Sequence, residues 1–423
     1  MNDRSWLNAL GPGLLFAGAA VGVSHIVQST RAGAVYGLAL VGLVIAANLV
    51  KYVPFAFGPW YAAATGTSLL EGYRRRGRWA LVLYAVLTLG TMFTVQAAVT
   101  LVTGALAVVT LGLPISPATA SAWLIAFCGG LLLVGRFALL DRLIKVVVGL
   151  LTVATFAATA LIMTKLDWAS FRIIPAREVF VGPSFFFVAA LVGWMPSAID
   201  VSVWHSLWAL AKQRQTGHRP SMRNAMLDFN IGYIGTAILA LCFIVLGAGT
   251  MHNSGETFAP GAAGFVSQVI GLYTNALGEW SAPLIGGCAL AVMFSTTLTV
   301  LDGFPRAIDT LLSRFGSEES PTSGAIESDT LTMGYWGALV VLGGGALLVI
   351  VWLQGSLKSL VDLATTLSFL TAPLLSWLNH RAVTGAEVPL DRRPPPIMLT
   401  ASIISIVIMT LFAGYWFTIR FGS

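Results

Sequence analysis

Gly18-Ala19-Ala20-Val21-Gly22-Val23-Ser24-His25 interrupts the first long apolar stretch of the chain, and Gly193-Trp194-Met195-Pro196-Ser197 interrupts the sixth. Glycine and proline are the weakest helix formers, so each segment predicts a helix that stops and restarts partway through an apolar run. The surrounding composition says what kind of run this is. The 423 residues are 57% hydrophobic and only 10% charged, with a mean hydropathy of +0.82. A soluble domain carries about 25% charged residues. One bilayer crossing takes about 20 apolar residues, so the chain has room for about a dozen. A soluble enzyme, a nucleic-acid binder and a disulfide-rich secreted scaffold are all excluded.

The apolar runs predict an all-α polytopic membrane protein with about eleven transmembrane helices. They cover 10–37, 38–66, 80–111, 119–136, 142–164, 183–211, 225–250, 281–312, 332–353, 357–379 and 397–418. Loop punctuation separates them, as in Arg74-Arg75-Arg76-Gly77-Arg78 and Arg392-Arg393-Pro394-Pro395-Pro396. The polar, acidic segment from Gly316 to Thr330 reads as a loop. With the N-terminus inside, the inner segments hold Arg4, Arg74 to Arg78, Arg136, Arg142, Lys145, Lys212, Arg214, Arg219, Arg223, Arg306, Arg314, Arg381, Arg392 and Arg393. The outer ones hold only Lys165, Arg172, Arg177, Lys358 and Arg420. That asymmetry predicts a bacterial inner-membrane protein with a cytoplasmic N-terminus and an external C-terminus. It also turns the net charge of +6 into a topology signal. Cys128, Cys242 and Cys288 are scattered in apolar stretches and read as packing residues. The run from Ala9 onward lacks a basic n-region and an A-x-A exit, so no cleavable leader is expected.

Spans 1 and 6 occupy equivalent places if spans 1–5 and 6–10 are two copies of one unit. The expected organisation is a single transmembrane domain over 1–423, with one repeat over 10–164, a second over 183–379 and an extra helix over 397–418. Paired breaks of this kind point to a solute site near the bilayer midplane, because unwound backbone survives there only where it lines a cavity or is buried in protein.

Several stretches resemble the NRAMP divalent-metal transporters, which have the LeuT-type fold of two inverted five-helix repeats with helices 1 and 6 broken. From Gly11 to Ala34 the chain reads GPGLLFAGAAVGVSHIVQSTRAGA, similar to that family's GPGLL…DPGN…AGA segment. Thr65 to Glu71 resembles its G-x-x-T-G-x-x-L-x-E stretch, and Arg136 to Leu150 its loop into helix 5. Met195-Pro196 matches the start of M-P-H, and Ser295-Thr296-Thr297-Leu298-Thr299 is close to S-S-T-I-T. The resemblance implies a secondary transporter working by alternating access, with a divalent cation as substrate. It departs at the ligands. The family's DPGN falls on Gly22, Val23, Ser24 and His25, so its cation-binding aspartate is a glycine here. The histidine after Met-Pro is Ser197. No Asp or Glu occurs from Trp79 to Leu140, where the family places residues linked to proton movement. Proton coupling of the family's kind is therefore expected to be weak, with His25 or Asp200 as the groups left to carry a proton.

The candidate substrate-binding residues are Gly22, Ser24, His25, Val192, Met195, Ser197, Asp200 and Thr366, the last lying near the family's helix-10 glutamine. Imidazole, thioether and carboxylate suit a transition metal better than magnesium, so His25, Met195 and Asp200 are the candidate metal ligands. A carboxylate inside a span costs about 2.5–3.5 kcal/mol to insert, which singles out Asp200. Asp302 has a plain partner in Arg306 four residues on, Asp362 reads as hydrated at the outer end of span 10, and Asp228 as interfacial. With the metal-binding aspartate replaced at Gly22, a transporter of a non-metal solute is the alternative. A membrane receptor is the alternative of another class, though no signalling domain follows span 11. No hydrolase or metalloprotease motif occurs, so neither an enzyme activity nor a cofactor is expected. The partners expected are a small solute or metal ion and the lipid bilayer.

Overall fold

The computed structural model describes residues 11–134, 137–166, 168–217, 219–252, 254, 258–316, 332–353 and 355–422. Arg4, Arg136 and the acidic segment 317–331 lie outside the described residues, as do the side chains of Arg142, Lys145 and Lys165. Among the described residues the regular structure is helical throughout.

The first span is α1 (Pro12–Ala20) and α2 (Ser24–Tyr36), which meet at an angle of 45°. The chain then forms α3 (Val41–Thr65), the short α4 (Leu69–Arg76), α5 (Arg78–Leu111), α6 (Pro117–Val134) and α7 (Phe137–Ile162). The sixth span is α8 (Gly182–Gly193) and α9 (Asp200–Thr216), with no helix between them. There follow α10 (Met222–Thr250), α11 (Ala262–Leu277), α12 (Ala282–Gly316), α13 (Met333–Leu353), α14 (Leu357–Val383) and α15 (Pro396–Phe421). Eight of these are long and apolar enough to cross a membrane, and the bent pair α1–α2 makes a ninth. Gly149–Ile162 and Gly182–Gly193 are apolar but shorter. The chain is an integral membrane protein.

Burial separates the helices into a centre and a rim. α5 is apolar on every side and mostly enclosed, packing along α12 and α14. α6, α13 and α15 instead expose rows of large apolar side chains, among them Phe127, Leu133, Leu348, Trp352, Ile404 and Leu411. Such rows are uneconomic in water and ordinary against lipid tails. The half-helices lie between these groups. α1 and α2 pack on α10, α8 on α14 and α9 on α3.

Close approach rather than hydrophobicity sets these contacts. A Cβ at Gly232 would collide with the Gly13 carbonyl, and one at Gly247 with the Thr30 carbonyl, so α10 bears on both halves of span 1 through glycines. At the start of α1, the N–H groups of Gly11 and Gly13 donate to the Asp228 carboxylate at 3.0 and 2.6 Å. Asp228 is therefore a buried acid that satisfies helix-end donors and faces the positive end of α1, rather than an interfacial one.

Candidate functional site

The break in span 1 is short. Helix α1 ends at Ala20, Val21 and Gly22 leave the helical pattern, and after Val23 the residues Ser24 to Ser29 form a π-type turn before the α-helix resumes at Thr30. Turns of this kind are rare and gather at functional sites. The Gly22 carbonyl accepts from the N–H groups of His25 and Ile26, so the turn restarts from within the break. Thr296 on α12 reaches the other side of it. Its hydroxyl lies within donating distance of the Gly18 carbonyl, at 2.8 Å, and of Val21, at 3.3 Å. A Cβ on Gly22 would stand 3.0 Å from the Thr296 methyl. The position that carries an aspartate in the resembled family thus faces α12.

The break in span 6 is longer, from Trp194 to Ile199, and its Met195–Pro196 peptide is cis. Trp194 Nε1 donates to Ser368 Oγ on α14 at 2.8 Å. Below it, α9 begins with Asp200, which is 2% exposed. Asp200 Oδ1 makes no hydrogen bond of ordinary geometry, the hydroxyl of Thr88 on α5 being a donor close to the carboxylate but not seated on it. Leaving a buried carboxylate oxygen unpaired is expensive, so this atom awaits a ligand or a proton.

Between the two breaks lies one cavity. Ala20, Ser24, Trp194, Ser197, Asp200, Trp204, Thr296 and Phe304 are among its walls. From the breaks it extends along α9 and α12, past Val201 and Trp204 on one and Val300 and Phe304 on the other. The cavity has a volume of about 30 Å³, room for a water or two in this closed conformation. Trp204 stacks edge-on against Phe304 at 4.7 Å, and its Nε1 is likewise buried and unpartnered. Beyond the breaks, on the side of α2 and α14, Arg31 closes on Asp362 with contacts of 2.7 and 3.3 Å. Gln28 donates to the same carboxylate at 3.2 Å, and the Arg31 guanidinium lies 4.9 Å from the centre of the Phe187 ring. Asp362, expected to be hydrated, is the acid of this latch.

Three of the eight sequence-predicted residues, Ser24, Ser197 and Asp200, line this cavity together. His25 is turned away from it. Its Nε2 meets the Thr236 carbonyl at 2.9 Å and its Nδ1 meets Ser24 Oγ at 2.7 Å, so both ring nitrogens are taken. Since a carbonyl only accepts, Nε2 carries a hydrogen. Met195 is fully buried in an apolar cluster with Val188, Ala189 and Phe369, its sulfur 3.9 Å from Ser29 Oγ. The Val192 carbonyl is occupied by Lys51, whose ammonium lies 2.6 Å away. On α14 the hydroxyls that face the breaks are those of Thr365 and Ser368, with Thr366 only partly buried beside them. Among the described residues no group of three or more His, Cys, Asp or Glu could hold a metal ion. In sequence Lys51 has no role in the site, Trp204 is left open between lining the cavity and packing between helices, and Thr296 appears only within the stretch close to S-S-T-I-T. The structure places Trp204 and Thr296 in the cavity wall. For Lys51 a signal was there: an ammonium in the middle of an apolar span is costly wherever it occurs.

At the face toward which the cavity runs, charged groups tie the helix ends. Glu71 on α4 pairs with Arg74 at 2.7 Å, Arg75 at 3.1 Å and Arg314 of α12 at 3.2 Å. Arg76 pairs with Glu387 at 2.7 Å, and Arg306 with Asp302 at 2.9 Å, the i, i+4 pair that the sequence predicts. Burial alone would raise the Glu71 carboxyl, but hydrogen bonds from Arg74 and Arg75 outweigh it and hold the group below its ordinary value.

No family model matches the chain. A protein of Pasteurella multocida, described only as uncharacterized, is 35% identical over 409 residues, which are 96% of this chain and 90% of that one. Among solved structures, a mutant of the Eremococcus coleocola manganese transporter superposes with a TM-score of 0.75 at 14% identity, over 96% of this chain and 85% of that chain. MhsT in complex with L-phenylalanine gives 0.61 at 14% identity, over 97% and 98%. A nucleobase-cation-symport-1 family transporter, closed around bromovinylhydantoin, gives 0.55 at 15% identity, over 97% and 93%. These likenesses show the fold: the LeuT-type arrangement with helices 1 and 6 broken.

Proposed function

We propose that this chain, which belongs to the same family as the Pasteurella multocida protein, is a secondary transporter that moves a small cationic solute by alternating access through the cavity at Asp200. One observation carries the reading: a buried carboxylate with an unpartnered oxygen, set in a cavity between two helix breaks. A cation entering the cavity would supply the missing partner, and Ser24, Ser197 and the Trp204 ring would complete its surroundings. The solved structures that share the fold include transporters of different solutes, which supports transport but does not choose the substrate.

Within that class two readings compete. A divalent metal is favoured by the likeness to the manganese transporter. An organic ammonium is favoured by the wall chemistry, because one carboxylate among aromatic rings suits a cation–π partner, whereas His25 and Met195 are engaged elsewhere. We read the orientation from the Lys and Arg bias, with the N-terminus inside the cell, the C-terminus outside and the cavity on the inner side of the breaks. The two five-helix repeats remain the organisation that we infer for 10–164 and 183–379.

Calorimetry on the purified protein tests the assignment, with Mn²⁺, Cd²⁺ and Mg²⁺ titrated first and small primary and quaternary ammonium ions after them. Binding of one cation class, weakened at least about tenfold in Asp200→Asn, is expected, since tenfold corresponds to about 1.4 kcal/mol and the loss of a buried charge pair exceeds it. Saturable heat from a cation that Asp200→Asn leaves intact would move the site elsewhere.

A further inference from the structure

Lys51 lies in the middle of the 25-residue helix α3 and is 1% exposed. No carboxylate of the described residues lies within ion-pair distance of it. Its ammonium donates instead to three backbone carbonyls of the span 6 break: Val192 at 2.6 Å, Gly193 at 2.7 Å and Ser197 at 3.4 Å. Two of these belong to the last turn of α8, at the negative end of the helix dipole, where no i+4 helical N–H follows, although the Val192 carbonyl also accepts from the Met195 N–H at 3.2 Å. The third comes from the unwound segment. Three carbonyl oxygens converging on one point, at the C-terminal end of a half-helix, make a seat for a hard cation in broken-helix proteins. Here the seat is taken by a side chain. A lysine has three N–H donors and no acceptor, so the three oxygens match it completely.

We propose that Lys51 is a tethered cation: its ammonium fills the inorganic-ion seat of the span 6 break, so that no free alkali or divalent ion binds there. The donor set alone defines this seat, whichever solute the cavity takes. Two consequences follow. The Val192 carbonyl is withheld from any substrate, and a substrate cation has Asp200 as its anchor instead. The break keeps its shape at any external sodium or potassium concentration, because its counter-charge is covalently part of the protein.

The test asks whether removing the side chain uncovers an ion site. Thermal unfolding of the full chain in detergent is followed for the wild type and Lys51→Ala against propylammonium, tetramethylammonium, Na⁺, Li⁺ and Mn²⁺. Any ion that binds the folded state alone raises the midpoint in a concentration-dependent, saturable way. The expected result is a Lys51→Ala midpoint well below that of the wild type, recovered by several degrees with propylammonium or a small alkali ion but not with tetramethylammonium, which has no N–H to donate. A deficit that none of these ions recovers, or that both ammonium ions recover equally, would make Lys51 a structural cap only and overturn the proposal. If Lys51→Ala does not fold, the wild type decides. Saturable stabilisation by Na⁺, Li⁺ or Mn²⁺ that persists in Asp200→Asn would reveal an open ion seat and overturn it, whereas a flat response at that seat supports it. Stabilisation abolished by Asp200→Asn belongs to the cavity and supports a seat closed by Lys51.

Discussion

Two buried charges define the centre of this molecule, and they are satisfied differently. Lys51 is fully used by carbonyls, while Asp200 keeps an oxygen unpaired. An unpaired buried carboxylate lowers stability, and residues that bind substrates often do so. Asp200→Asn should therefore leave the thermal midpoint unchanged or raised while cation binding is lost, whereas a structural acid would lower both together. A drop of several degrees in the midpoint would count against a ligand-binding role. Glu71 makes the contrasting case, since its partners are all present. Its carboxyl is held below the ordinary value near 4.5, so it stabilises the folded state at pH above that value. The contribution is lost as pH falls through the lower folded value. The unfolding midpoint of the wild type should fall between about pH 5 and pH 3 more steeply than that of Glu71→Gln, and identical slopes would remove Glu71 from the account.

At the scale of elements, the helix breaks were legible and their fastenings were not. Gly22 and the Met195-Pro196 pair announce interruptions in sequence because glycine and proline act locally on the backbone. What holds each break comes from far along the chain: Thr296 on α12 for span 1, and Lys51 on α3 with Ser368 on α14 for span 6. No period or motif links residues so separated. Helix phase accounts for Thr366, since one residue turns a side chain by about 100°, and Thr365 takes the inward place. His25 looked like a ligand because it sits beside the break, yet Thr236 on α10 claims its second nitrogen. The latch of Arg31 and Asp362 joins α2 to α14 on the side away from the cavity. If it closes the outer path, Asp362→Asn should make a cysteine placed at Ser24 reactive to a membrane-impermeant thiol reagent added from outside. The same cysteine with an intact latch should be protected from that side. Equal reactivity in both would show that the latch gates nothing.

For the molecule as a whole, composition alone established a polytopic membrane protein, and the resemblance to broken-helix transporters matched the fold found. The chemistry of the centre was harder to read. A sequence reports which polar side chains are present but not which already have partners, and here that difference separates His25 and Lys51 from Asp200. Gradient-driven flux into proteoliposomes tests the central claim most directly, using the cation class that calorimetry selects, with wild type and Asp200→Asn compared at equal reconstitution. The account predicts saturable uptake in the wild type that falls at least about tenfold in Asp200→Asn, in keeping with the loss of one buried charge pair. Uptake that is absent from folded, correctly inserted wild type for every cation tried, or that survives Asp200→Asn unchanged, would contradict it.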